Sequence, residues 1–383
     1  MVINSLSISI SSLWSSVWPI LIAILFFGFI IIIHECGHFA FAKLFDVQIN
    51  EFSIGMGPAI FKRKKGETQY SLRLLPIGGY VSMEGETEGS ENERAFCNKK
   101  VWQRIIIVVA GAVMNLILGL IIVGVITCSE DLIATTQVNY FYTNSVTSQF
   151  GLESGDIVKE IDGLNIFSTT DISYALSRSS EEAQEYTVTK DGEETTITGK
   201  AYEFVVERDG EKVTLSSVVF ETYDNDGTET VIYDFCVVGV EKTFVNVITQ
   251  TFTQSVTYAR LVWLSLFDLV TGHYQLNDLS GPVGTVTIIA DTISEAASGT
   301  SSSVDLSSVL TLMAFITINI GIFNLLPIPA LDGGTLVFLI IEGITRKKIP
   351  EKYKGIINAI GMALLLLLVL FVTFNDVANI IRS

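Results

Sequence analysis

Apolar residues crowd into four long stretches of this chain, near residues 18–42, 104–127, 307–327 and 357–374. Each is long enough, at about 20 residues, to cross a bilayer as a helix. A fifth stretch, 245–271, is interrupted by Gln250, Gln254, Arg260 and Asp268. Its Phe252, Val256, Leu261 and Trp263 fall toward one side of a helix, which favours an amphipathic helix at the membrane interface over a span. Between the first two spans the pattern changes from runs to alternation. Tyr70, Leu72 and Leu74 alternate with Ser71 and Arg73, and Pro76-Ile77-Gly78-Gly79 breaks the run before Tyr80-Val81, so residues 68–83 read as a β-hairpin. Gly85 to Glu93 reads as a solvated loop. From 129 to 242, β-rich runs are punctuated by Asp191-Gly192, Asp209-Gly210 and Asp226-Gly227, which read as hairpin turns. The predicted fold is a polytopic α-helical membrane protein of about four spans, with a β-hairpin and a β-rich domain. Its segments are 1–45, 46–101 (loop and hairpin), 102–128, 129–242 (β-rich), 243–305 (amphipathic helix and linker) and 306–383 (the last two spans).

Composition adds polarity to that layout. Of 383 residues 49% are hydrophobic, yet 41 acidic residues outnumber 24 basic ones for a net charge of −17. The acidic excess reads as a solvated surface and argues against nucleic acid as a partner. Lys and Arg concentrate in cytoplasmic loops. The first interhelical loop holds Lys62, Arg63, Lys64, Lys65, Arg73, Arg94, Lys99 and Lys100, and the last holds Arg346, Lys347, Lys348, Lys352 and Lys354. Both loops are therefore predicted to be cytoplasmic, with both termini and the β-rich region on the outer side. The first apolar stretch lacks the basic start and small-residue cleavage site of a signal peptide. Cys36 and Cys97 fall at the cytoplasmic boundary, whereas Cys128 and Cys236 on the outer side could pair if the fold brings them together.

The chemistry sits inside the first span, in Ile33-His34-Glu35-Cys36-Gly37-His38. Positions i and i+4 share a helix face, so His34 and His38 can reach one metal ion, with Glu35 beside them as a base. Cys36 points away from that face and reads as packing. Polar groups are costly at bilayer depth, so three together need a function, although two histidines satisfied between helices remain the plainer alternative. A catalytic zinc commonly has three protein ligands, and Asp332 is the candidate third. It closes Asn324-Leu325-Leu326-Pro327-Ile328-Pro329-Ala330-Leu331-Asp332-Gly333-Gly334, where two prolines break the helix and expose backbone that suits a cavity wall. The first and third spans run in the same direction, which puts His34, His38 and Asp332 at matching depth; the alternative is that Asp332 caps a helix. In the second span, Gly111-Ala112-Val113-Met114-Asn115 permits close helix approach, and Asn115 serves either the site or helix packing.

These motifs, with Gly78-Gly79-Tyr80-Val81 and Ser280-Gly281-Pro282-Val283-Gly284, resemble the site-2 protease family of intramembrane zinc metalloproteases, and most nearly its bacterial branch typified by the regulator of sigma-E protease. The resemblance covers nearly the whole chain. It implies a multi-pass protein of the bacterial inner membrane in which His34, His38 and Asp332 hold Zn2+, Glu35 activates water, and Asn324 helps place the substrate backbone or its oxyanion. It also implies a membrane-associated hairpin. Leu72, Leu74, Gly78, Gly79, Asn115, Pro327 and Pro329 are the candidate substrate contacts, an extended substrate adding to a strand edge near Leu72 and Leu74. The implied partners are membrane lipid and pre-trimmed single-span proteins, such as anti-sigma factors or remnant signal peptides. Gly151 to Gly163 resembles part of a PDZ domain; one signature is present where some relatives have two, and Lys200 to Asp234 reads as an insertion or a degenerate second copy. A metal-binding transporter or a PDZ scaffold is the alternative function class, but a mere carrier has no use for Glu35.

Overall fold

The computed structural model describes residues 10–86, 89–178, 182–225, 228–272, 282–298 and 306–382. The Asp226-Gly227 turn and Ser280-Gly281 lie outside these residues. The chain opens with α1 (Ile10–Leu44), the hairpin of β1 (Ile49–Lys65) and β2 (Thr68–Met83), and α2 (Val101–Ser129). There follow β3 (Ile133–Phe141), β4 (Ile157–Ile161), β5 (Leu164–Asn165), α3 (Thr169–Arg178), β6 (Gln184–Lys190), β7 (Glu193–Arg208), β8 (Glu211–Asn225), β9 (Thr228–Val231) and β10 (Phe235–Val240). Five helices close the described chain: α4 (Phe244–Thr271), α5 (Pro282–Ser298), α6 (Leu306–Leu325), α7 (Asp332–Thr345) and α8 (Glu351–Arg382). Two compact units result, Met1–Ile122 with Gln275–Ser383, and Val123–Tyr274.

Among the described residues four helical segments are long and apolar enough to cross a membrane: Val17–Leu44, Val101–Ser129, Ser307–Leu325 and Lys352–Val377. α5 was not expected. Its Ile289 and Ile293 pack against Ala23, Phe26 and Ile30 of α1 and Val309 and Ile316 of α6, so part of the expected linker is a packed helix. Asp291 and Glu295 hide it from a hydropathy reading, because only one of its faces is apolar. A second core, built from Ala42, Val47, Ile49, Val81, Met83, Ile107, Val108 and Leu339, locks the hairpin onto α1, α2 and α7.

The hairpin folds back on itself. Residues 49–54 of β1 pair with 79–83 of β2 on one side and with 69–72 on the other, while 59–65 pair with 68–73. Reversals at Gly55 and Gly57 (φ 84° each) and Gly78 (φ 87°) permit this doubling, since L side chains rarely adopt such φ. Leu72 consequently lies between Ile54 and Phe61, paired on both sides. It is interior to the sheet, which corrects the expectation of an open edge at that residue. The sheet's two open edges are Gly79–Met83 and Ala59–Lys65, and the first of these borders the metal-site cavity described below.

In the β-rich unit the strand order is β10-β3-β4-β7-β8-β9, with β5 paired to β4 and β6 to β7. Asp191-Gly192 and Asp209-Gly210 take positive φ (54° and 83°; 52° and 83°) and close β6–β7 and β7–β8, as their sequence predicts. Residues 200–225 and 228–231 extend this same sheet through β7, β8 and β9. The core is Val138, Leu152, Val158, Tyr202, Phe204, Val218 and Phe220. Buried Asp156 accepts from the Glu153 amide (2.9 Å) and from Arg208 Nε (2.7 Å), fixing the Gly151–Asp156 turn. One side of α4 bonds to α3: Gln254 Nε2 donates to Thr170 (2.7 Å) and Arg260 Nη2 to Asp171 (2.5 Å), and Arg178 Nη2 donates to Asp268 (2.6 Å). Its Phe244, Ile248, Phe252, Val256, Trp263 and Phe267 are exposed. Cys128 and Cys236 are free thiols.

Candidate metal centre

His34 and His38 project from one face of α1, one turn apart, their rings nearly perpendicular at 84°. The helix crossing behind them is close because glycines line it. A Cβ on Gly37 would lie 2.4 Å from the Ala110 carbonyl oxygen, and one on Gly111 would lie 2.4 Å from His38 Nε2 and 2.8 Å from His34 Cε1. That proximity brings His38 Nδ1 within 2.8 Å of the Ile107 carbonyl oxygen. A carbonyl only accepts, so Nδ1 carries the proton and Nε2 keeps its lone pair for a ligand.

The third group arrives from far along the chain. α6 ends at Leu325, the chain turns through Pro327, Pro329 and Ala330 (φ 75°), and α7 starts at Asp332. This turn packs against the first turn of α7 so tightly that a Cβ on Gly333 would lie 1.9 Å from the Leu326 carbonyl oxygen, and one on Gly334 2.5 Å from that of Ile328. The two glycines after Asp332 therefore let the broken segment fold back. The helix N-terminus favours the Asp332 carboxylate.

Three ligand atoms converge. His34 Nε2 and His38 Nε2 are 3.1 Å apart, and Asp332 Oδ2 lies 3.1 Å and 3.2 Å from them. Zinc bonds of about 2.0–2.1 Å to nitrogen and oxygen imply tetrahedral edges of roughly 3.3 Å. The triangle fits a zinc ion. Two imidazole lone pairs and a carboxylate oxygen aimed at one point also repel unless a cation joins them, and buried Asp332 Oδ2 has no hydrogen-bond partner among the described residues.

A cavity of about 440 Å³ opens beside the triangle, and Glu35, Tyr80, Val81, Glu86, Arg104 and Lys354 are among its walls. Gly79 has no side chain where a Cβ would come 3.3 Å from Glu35 Cγ, so β2 passes directly against Glu35. Glu86 accepts from the Met83 amide at 3.2 Å. Its carboxyl is exposed to the cavity but enclosed by the surrounding walls, and that burial pushes its pKa up to about 7 against the lowering effect of the Met83 hydrogen bond. Glu342, almost fully buried, binds Arg104 Nη2 (2.7 Å) and Lys354 Nζ (2.8 Å).

Other candidates sit elsewhere. Asn324 is partly buried at the end of α6 and does not line this cavity. Asn115 is fully buried in α2, and neither of its polar atoms has a partner among the described residues. Pro329 lines a separate apolar space with Ile357, Gly361 and Leu365 of α8, and Pro327 is exposed. Leu74 is exposed on the hairpin. Sequence reasoning missed Glu86, Arg104, Glu342 and Lys354. A charge such as Glu342 within an apolar helix was a signal, because it requires a buried partner.

Residues 22–368 match the profile of peptidase family M50. A Clostridium acetobutylicum protein bearing a zinc metalloprotease name is 35% identical over 94% of this chain and 98% of its own. Zinc metalloprotease RasP of Bacillus licheniformis is 30% identical (93% and 98% covered), and the regulator of sigma-W protease RasP of Bacillus subtilis 28% identical (93% and 97% covered).

Proposed function

This chain belongs to peptidase family M50 and is an intramembrane zinc metalloprotease, and we propose that it hydrolyses a peptide bond within the transmembrane segment of a single-span protein already trimmed by another enzyme. The observation that carries the proposal is the convergence of His34, His38 and Asp332 within 3.2 Å of one another beside Glu35, on a cavity walled by an open strand edge. In this reading the three residues hold zinc through Nε2, Nε2 and Oδ2. Bound there, zinc supplies a Lewis acid for the scissile carbonyl and lowers the pKa of water toward about 7. Glu35 takes the proton from the attacking water and delivers it to the leaving amine. The charged cavity wall of Arg104 and Lys354, both paired with buried Glu342, keeps that space wet. The substrate, unwound from its helix, lies along the edge Gly79–Met83 as an added strand, with Gly79 giving it room near Glu35.

The basic loops around the hairpin and before α8 support an orientation with the cavity on the cytoplasmic side and the termini and the β-rich unit outside. The β-rich unit acts as a PDZ-like filter against untrimmed proteins, and the apolar face of α4 lies in the membrane interface. By analogy with the sigma-W regulator, substrates include a membrane-anchored anti-sigma factor, alongside remnant signal peptides. The test is cleavage of a trimmed single-span substrate in detergent by wild type and Glu35→Gln. Cleavage by wild type within the span, with Glu35→Gln retaining one zinc per chain but losing at least about 10³-fold in rate, is expected. Equal cleavage by Glu35→Gln overturns the assignment of the base.

A further inference from the structure

The edge Gly79–Met83 pairs with β1 on one side only. Backbone groups of successive strand residues point to opposite sides, and the Glu84 amide, donating to Gln48 O at 2.9 Å, fixes which residues face β1. Tyr80 and Ser82 share its direction. Gly79, Val81 and Met83 face outward, toward the metal cavity. One of these outward amides already has an acceptor, Glu86 on Met83, and Glu35 lies beside the edge at Gly79; both carboxylates line the cavity wall. Glu35 has its own chemistry. Glu86 has none in that scheme, and it reaches Met83 only because Gly85 turns the chain sharply, at φ 69°.

We propose that Glu86 is a specificity-determining cap: in the substrate-free enzyme its carboxylate occupies the Met83 N–H where a carbonyl of the extended substrate binds, and the incoming strand displaces it. The inference rests on the reading that substrate adds to this edge. An uncapped edge is a template for any unpaired strand. A carboxylate cap closes that template to chains that offer only a side chain or a short backbone stretch, because the competitor must supply a carbonyl in register at Met83, four residues along the edge from Gly79 beside Glu35. The cap also leaves cheaply, since enclosure by the cavity wall already disfavours its charge.

The test compares two metal-directed ligands on the full-length zinc-loaded protein in detergent: acetohydroxamate, which reaches only the metal, and a peptidyl hydroxamate whose extended backbone spans Gly79 to Met83. Dissociation constants are measured by calorimetry for wild type, Glu86→Ala and Glu86→Gln. The expected result is that the peptidyl ligand binds wild type more tightly than acetohydroxamate, and that Glu86→Ala tightens the peptidyl ligand alone by about 3- to 10-fold, the worth of one competing hydrogen bond. Glu86→Gln, which keeps an acceptor, falls between. If the peptidyl ligand keeps its advantage in wild type but Glu86→Ala leaves it unchanged, the cap is overturned while the edge stands; a lowered melting temperature with unchanged binding overturns the cap equally. If the two ligands bind wild type equally well, the edge reading fails and the cap with it.

Discussion

Gly111 lets His34 and His38, the candidate metal ligands, sit where they do by having no side chain. A methyl there would occupy the space of His38 Nε2, so Gly111→Ala must push the imidazole away from the Ile107 carbonyl. Loss of such an orienting contact commonly costs about 10- to 100-fold in metal affinity, and competition with a chelator of known affinity measures it. Gly343→Ala, whose Cβ would meet only Val101 at an ordinary 3.5 Å, is the control and should leave affinity unchanged. Glu342 offers a second residue-scale prediction. Glu342→Ala takes from Arg104, 4% exposed beside the cavity, the carboxylate it donates to, and from Lys354 one of its contacts. Breaking a buried ion pair from one side costs about 3–5 kcal/mol, and denaturant unfolding in detergent should show a loss of that size without a change in zinc stoichiometry.

At the scale of elements, the hairpin is tied to the end of α1 by charge. Glu67, in the β1–β2 turn, accepts from Arg94 Nη1 (2.7 Å) and from Lys43, while Arg94 Nε reaches Asp46 (2.8 Å). The Arg94 and Lys43 hydrogen bonds hold the Glu67 pKa down at about 2, below its ordinary 4.5. A depressed folded-state pKa means that the stabilisation is complete above about 4.5 and is lost as pH falls toward about 2. The group is about a third exposed, so the effect is under about 1 kcal/mol. Protection factors of the β1–β2 turn amides, with the intrinsic pH dependence of exchange divided out, should fall across that pH window in wild type, and Glu67→Gln should show lower protection at neutral pH without the Glu67 step. The hairpin also shows where periodicity stops being informative. The alternation of Tyr70, Leu72 and Leu74 located a strand, but a strand's face pattern says nothing of how many neighbours its backbone has, and doubling at Gly55, Gly57 and Gly78 put Leu72 inside the sheet.

For the whole molecule, a zinc ion held by His34, His38 and Asp332 would clamp sequence-distant parts together. Its candidate ligands come from α1 and α7, so an ion that binds only the folded arrangement stabilises it by about 4 kcal/mol at a thousandfold excess over its dissociation constant. Chelation should lower the melting temperature of wild type, zinc should restore it, and His34→Ala should show neither change. A melting temperature indifferent to chelation in wild type would remove the clamp.

Local rules decided what the amino-acid sequence determined by itself. Runs of apolar residues located the four spans to within a few residues at most boundaries, because bilayer thickness sets their length. The i, i+4 spacing put His34 and His38 on one face, because helix geometry is a property of the segment alone. The Asp-Gly turns closed β6–β7 and β7–β8 for the same reason. Only the tertiary structure decided that Asp332 Oδ2 comes within 3.2 Å of both histidines, that Glu342 pairs with Arg104, that α5 packs on α1, and that Gly79–Met83 is an edge facing the cavity. Each of these pairs residues far apart in sequence, and which pairs meet depends on the packing of the whole helical unit, which no local pattern encodes.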